Sequence, residues 1–280
     1  MDKIAMLETI RTIEQAAAQN IVRMEGDYID GDGMLICGKC NTPKQFRFEV
    51  LGEVLTPYCL CKCALEERER TNAVEKVKAD QVRIAELRKA AFGGTDMEKW
   101  TFKADDCTNE KVSKICRKYV EKFDDMLKRG KGLLFYGGVG TGKTFYAACI
   151  ANALIDKGRS CYMTNLMSIV NQPLEDKVKM MNDINKYSLL ILDDLAAERD
   201  TQYMQESVVN LVDARYRSGK PIIVTTNLTA TEMKYPADMR KERIYSRLFE
   251  MCIPIEVTGK DRRKEKLKKD FDEMRDILGV

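Results

Sequence analysis

From Gly132 to Val257, five short apolar runs (GLLFY, SCYMT, SLLILDD, PIIVTTN and MCIPIEV) alternate with longer stretches that carry helical spacing. Short β-rich runs separated by helices predict a parallel sheet covered by helices on both faces, an α/β fold. Upstream, Ala64 to about Ala91 is rich in Glu, Lys, Arg and Ala with few breakers. It predicts a long charged helix, which FGGTD interrupts. Residues 26–70 contain turn glycines and short β-type runs such as FRFEVLG, the pattern of a small ribbon. Ahead of it, Ile4, Leu7, Ile10 and Ile13 put one apolar stripe on a short helix spanning Ile4–Ala18. The expected organisation is an N-terminal helix and ribbon over 1–63, a helical linker over 64–99, and an α/β domain over 100–280.

Composition narrows what this organisation can serve. The chain has 280 residues, 32% of them charged, and a net charge of +3, so affinity for nucleic acid has to come from a local patch. The clearest basic run is TGKDRRKEKLKKD, with seven basic and two acidic residues between Lys260 and Lys269. No run of 18 apolar residues is present, and the opening MDKIAMLETIRTIEQ is polar and amphipathic. A soluble, cytoplasmic protein without a membrane partner is expected. Histidine is absent, which excludes Ser/His/Asp triads and His-ligated metals.

The strongest chemistry lies in GGVGTGKT. Gly137, Gly142, Lys143 and Thr144 fit G-x-x-x-x-G-K-[ST], directly after the expected strand Gly132–Tyr136 and before a helix from Lys143 to about Asp156. Glycines let successive amides from Gly137 through Gly138, Val139, Gly140, Thr141 and Gly142 to Phe145 turn inward around phosphates. Lys143 reaches the outer phosphates, and Thr144 offers a hydroxyl to Mg²⁺. LLILDD then ends a buried strand in two carboxylates. Asp193 is placed to hold the Mg²⁺ water shell and Asp194 to polarise an attacking water; being one methylene shorter than Glu, it implies slow turnover. Asn227, after PIIVTT, falls near the γ-phosphate. Arg243 and Arg247 share one face of a helix, where a guanidinium can serve a neighbour's γ-phosphate or pair with Glu242 or Glu250. Arg262 or Arg263 can fold back on the nucleotide.

Ten cysteines divide unevenly. Cys107, Cys116, Cys149, Cys161 and Cys252 are scattered and read as buried thiols. Cys37-x-x-Cys40 and Cys59-x-Cys61-x-Cys63 offer five thiolates where tetrahedral Zn²⁺ takes four. Cys61 and Cys63, beside the helix start, are favoured over Cys59, and the closed site is structural.

The order of cysteine ribbon, charged helix, GGVGTGKT, LLILDDLAAERDT, VTTNL, RIYSRLFEMC and basic tail resembles the DnaC-type helicase loaders, particularly phage and mobile-element members with a cysteine ribbon. This family is similar to the IstB-type transposition helpers, and both are AAA+ ATPases. The resemblance spans nearly the whole chain. It implies an AAA+ P-loop domain with ATP, Mg²⁺ and Zn²⁺ as cofactors, Asn227 as sensor 1, Arg247 as the trans-acting arginine finger and Arg263 or Arg262 as sensor 2. It also implies self-association through the AAA+ domains, binding to single-stranded DNA, and docking of residues 1–63 on a replicative hexameric helicase. The competing readings are a transposition helper and a zinc-ribbon DNA-binding regulator with only structural nucleotide.

Overall fold

The computed structural model describes residue 12 and residues 23–50, 52–171, 173–195, 202–236 and 238–279. The amphipathic stretch Ile4–Ala18, Thr12 apart, and the AAERDT part of the loop after Leu195 lie outside the described residues. The chain divides into two compact units, Met1–Gln81 and Val82–Val280. The compositional boundary at Trp100 therefore falls inside the second unit.

The first unit contains two hairpins. β1 (Tyr28–Ile29) pairs antiparallel with β2 (Leu35–Ile36), and β3 (Phe48–Val50) pairs antiparallel with β4 (Glu53–Leu55). Leu35, Ile36 and Leu55 are buried, together with the thiols Cys37 and Cys61. So few apolar side chains among the described residues cannot offset the chain entropy of a ribbon this size, which makes the cysteine cluster the natural staple. Lys44 and Asp27 form a nearly buried ion pair, and Lys44 holds the Asp27 carboxyl down at about 2. α1 (Lys62–Phe92) follows, 31 residues long and largely exposed until Ala91 and Phe92. The expected charged helix is thus present.

In the second unit, Ile84, Leu87, Ala91 and Phe92 at the end of α1 pack with Met97 and Trp100 of the adjoining 3-10 turn onto the domain's own core. That burial is why this unit begins well before Trp100. α2 (Glu110–Glu121) and α3 (Phe123–Arg129) come next, then β5 (Gly132–Tyr136), α4 (Lys143–Asp156), β6 (Cys161–Asn165), α5 (Leu166–Val170), α6 (Leu174–Asp183) and β7 (Leu189–Leu195). The remainder is α7 (Gln202–Ser218), β8 (Ile222–Thr226), α8 (Ala230–Lys234), α9 (Met239–Met251), β9 (Cys252–Glu256) and α10 (Arg262–Leu278). The strands form one parallel sheet in the order β6-β7-β8-β5-β9.

Alternating strand residues feed two cores. Leu133, Phe135, Leu189, Ile191 and Ile223 face α2 and α4, while Leu134, Leu190, Leu192, Ile222 and Val224 face α5, α7 and α9. Such two-sided burial explains why the strands read as continuous apolar runs. Arg215, fully buried near the end of α7, joins the starts of β7 and β8 by donating to the carbonyls of Ile184, Tyr187, Ser188 and Pro221. Desolvation pulls its guanidinium down to about 10. Four of the scattered cysteines are buried as expected, but Cys107 is exposed, on a left-handed loop residue with φ 57°. It lies in a polar loop, where no apolar neighbour draws it inward.

Candidate functional site

The loop from Gly137 to Gly142 joins β5 to α4. Gly137 has φ 131°, and a Cβ there would come within 2.6 Å of the Val257 carbonyl. Gly140 has φ 74°, and a Cβ would overlap Oδ1 of Asp261 at 1.8 Å. Only glycine tolerates both the backbone and the crowding. Gly142 caps α4 with no side-chain hydrogen bond, so the first amides of a 14-residue helix are left to an external acceptor. Thr141 steadies the loop by donating to the Gly138 carbonyl at 3.0 Å.

Lys143 is largely buried, and its ammonium donates to the carbonyls of Gly137 (2.9 Å) and Gly138 (2.6 Å). Burial pushes its pKa down, and the charges of Asp194 and Asp193 oppose that shift. A buried cation satisfied only by two neutral carbonyls is a fit for a phosphate, which supplies the missing anion.

Opposite the lysine, β7 carries both aspartates. Burial pushes Asp193 up, against the hydroxyls of Thr225 and Thr144, which favour its ionised form. A carboxylate kept from water beside a threonine hydroxyl and the loop is a donor set suited to Mg²⁺ and its water shell. The β7–β8 register shifts between Leu192 and Leu195, and Asp194 sits in the left-handed region with φ 57°. A non-glycine residue there stores strain of about 1–3 kcal/mol. The kink turns the carboxylate to Asn227, whose Nδ2 donates to Asp194 Oδ1 at 3.1 Å.

One cleft of about 500 Å³ is lined by Val139, Gly140, Gly142, Lys143, Thr144 and Phe145 from the loop and α4. Asp193, Asp194, Thr225 and Asn227 enter it from the sheet, and Arg262 and Arg263 from α10. Both arginine candidates therefore reach it. Arg262 also donates its amide to the Gly140 carbonyl at 3.1 Å and its guanidinium to Asp106 at 3.0 Å, whereas Arg263 is exposed. Met97 and Trp100 form the remaining wall, with the Trp100 ring 6.3 Å from that of Phe145. Arg247 does not line this cleft. It and Arg243 both pair with Asp213 of α7, and Glu250 instead accepts from the Tyr216 hydroxyl at 2.9 Å. The sequence suggested Glu242 and Glu250 because neighbours on the same helix are visible along the chain and a partner on another helix is not.

The family is settled by the stretch containing these residues. A family model described as IstB-like ATP binding protein matches residues 61–270, three-quarters of the chain. The chain belongs to the IstB-like ATP-binding family. Its fold is the AAA+ P-loop ATPase fold, with the phosphate loop after β5 and the acidic strand β7 separated by β8. The chain is similar to the replicative helicase loader DnaI of Bacillus subtilis, 29% identical over 153 residues, and to the replicative helicase loader DnaC of Escherichia coli, 27% identical over 139 residues. These matches cover 48% and 47% of this chain and 48% and 54% of the relatives, so the chain spans about half the length of the proteins it matches. A solved structure of the DnaC helicase loader aligns over 55% of this chain and 92% of that one, with 27% identity and a TM-score of 0.48. No helix among the described residues is long and apolar enough to cross a membrane.

Sequence reading missed Thr225, Trp100 and Asp213. A threonine closing an apolar strand and the chain's one tryptophan beside a turn were the available signals for the first two; Asp213 had none.

In the first unit, the sulfurs of Cys37, Cys40, Cys61 and Cys63 lie within 4.8 Å of one another. Cys37 and Cys63 are 3.7 Å apart, and Cys61 and Cys63 3.4 Å. Tetrahedral Zn–S bonds of about 2.3 Å demand sulfur separations of about 3.8 Å, so the four thiols fit zinc. Cys59 turns away to the Pro43 carbonyl, and burial pushes its thiol up. Among the four, the Thr42 hydroxyl draws Cys40 down to about 5, whereas Cys61 and then Cys40 push Cys63 up to about 12. Four thiols this close cannot all ionise unless a cation joins them.

Proposed function

We propose that this protein is an ATP-dependent loader of a replicative hexameric helicase onto single-stranded DNA, working in the cytoplasm. The observation that carries the reading is the single cleft in which Lys143, Thr144, Asp193, Asp194, Asn227 and the α10 arginines converge, within a chain whose relatives include two helicase loaders. Lys143 and the loop amides hold the triphosphate, and Thr144 and Asp193 hold Mg²⁺, which offsets phosphate charge when bound. Asp194, steadied by Asn227, orients the attacking water. Arg263, beside Arg262, contacts the nucleotide from α10. Arg247 of one copy completes the cleft of the next, so that nucleotide state controls an assembly on DNA, with slow, DNA-stimulated hydrolysis. Residues 1–63 dock the helicase through a zinc ribbon held by Cys37, Cys40, Cys61 and Cys63. Residues 64–81 form the linker, and the compact unit Val82–Val280 the ATPase.

The family to which the chain belongs also supports a transposition-helper reading. Co-migration with a hexameric helicase in MgATP, absent for Lys143→Ala, is the expected result. Retention of a transposase instead would replace the loader reading with the second one. Turnover unaffected by single-stranded DNA would favour a ribbon regulator.

A further inference from the structure

Asp213 divides its two carboxylate oxygens between two arginines of α9. Oδ2 lies 3.0 Å from Nη2 of Arg243, and Oδ1 pairs with Nη1 of Arg247. The Arg247 guanidinium also lies over the Tyr216 ring, its Cζ 5.5 Å from the centroid. Tyr216 is in turn held by its hydroxyl bond to Glu250. Asp213 and Tyr216 are three residues apart on α7, and Arg243, Arg247 and Glu250 are four and three apart on α9, so each helix contributes one face.

Arg243 is exposed, so its half of the arrangement contributes little to stability, whereas Asp213 and Arg247 are largely enclosed. What the arrangement does achieve is orientation. A free arginine samples many rotamers, but here a carboxylate holds one edge and a ring one face. Two guanidinium groups share the one Asp213 carboxylate, and Glu250 bonds the Tyr216 hydroxyl instead, so each arginine keeps N–H groups to offer a phosphate. None of these residues lines the cleft of its own subunit.

We infer that Asp213 is a positioning residue: it holds Arg247, with Arg243 on its second oxygen, in the orientation from which Arg247 reaches the triphosphate bound by a neighbouring copy. This rests on the trans role proposed for Arg247 and adds to it the group that aims the arginine.

The test uses pairs of full-length variants mixed with single-stranded DNA and MgATP. Lys143→Ala keeps the arginine face and loses the cleft; Arg247→Ala does the reverse. Mixing the two restores turnover that neither has alone. Asp213→Asn added to the Lys143→Ala partner lowers the restored turnover by about fivefold or more, because a misaimed group loses rate steeply. The same substitution in the Arg247→Ala partner leaves it within about twofold, and Asp213→Glu in the first partner recovers most of the loss. Failure of the two variants to complement overturns the trans role itself. Complementation that Asp213→Asn leaves untouched, or lowers equally from either partner, overturns the role of Asp213 and leaves the trans reading standing.

Discussion

The Thr225 hydroxyl donates to Oδ1 of Asp193 at 2.7 Å, and Oγ1 of Thr225 accepts the Asp194 amide at 2.8 Å. Thr225 is fully enclosed, at 1% exposure. One buried side chain on β8 therefore sets both the metal-facing carboxylate and the kinked residue after it. Thr225→Val preserves shape, removes the bond to the ionised form of Asp193 and leaves the Asp194 amide unpaired. Magnesium affinity of the nucleotide complex is expected to fall by about tenfold or more, from a charged hydrogen bond of about 1.5–3 kcal/mol. Titrating magnesium against turnover at fixed ATP checks it; an unchanged midpoint would exclude the role.

Burial raises the Asp193 pKa above 3.8. The folded protein thus holds this proton more tightly than the unfolded chain, so Asp193 subtracts stability as pH rises from 3.8 through the folded value. Metal binding needs the ionised form and works in the opposite sense, weakening as pH falls through the same window. The magnesium-dependent part of nucleotide affinity should decline on acidification before ordinary exposed carboxylates titrate. Comparing nucleotide binding with and without magnesium across pH tests this, and Asp193→Asn should flatten the difference.

Cys59 and Cys40 separate a spectator thiol from a ligand. Cys59→Ser should retain one zinc per chain, whereas Cys40→Ser should release it and unfold the ribbon, since metal affinity there is folding free energy. Metal analysis of the purified variants, with circular dichroism before and after chelation, gives the answer. Loss of zinc from Cys59→Ser would assign the ligands differently.

Arg215 is a buried cation with no acid among the partners it bonds, held by four backbone carbonyls. Arg215→Met fills much of the volume but takes the donor from the carbonyls of Ile184, Tyr187 and Ser188, each costing about 1–3 kcal/mol if unmet, while the Pro221 carbonyl keeps the Leu190 amide. A loss of roughly 3 kcal/mol or more is expected, lowering Tm by about 6–12 °C in a domain of this size. Thermal unfolding measures it; a Tm within error of the parent would mean that water replaces the guanidinium.

The five strands, α4 and the phosphate loop were legible from the chain alone because each depends on neighbours in sequence. Two-sided burial makes LLIL and IIV, the buried parts of SLLILDD and PIIVTTN, apolar throughout, and GGVGTGKT encodes the loop's backbone in its glycines. Lys143, Thr144, Asp193 and Asn227 follow from that frame, since strand ends lie side by side in a parallel sheet. Tertiary structure decided the rest: which thiol is excluded at the ribbon, the kink at Asp194, the bond from Thr225, the burial of Arg215, and the partner of Arg243 and Arg247. These depend on distances between residues remote along the chain, such as Asp213 and Arg247 or Cys37 and Cys63. Local pattern sets which way a side chain can face; packing of separate elements sets what it meets.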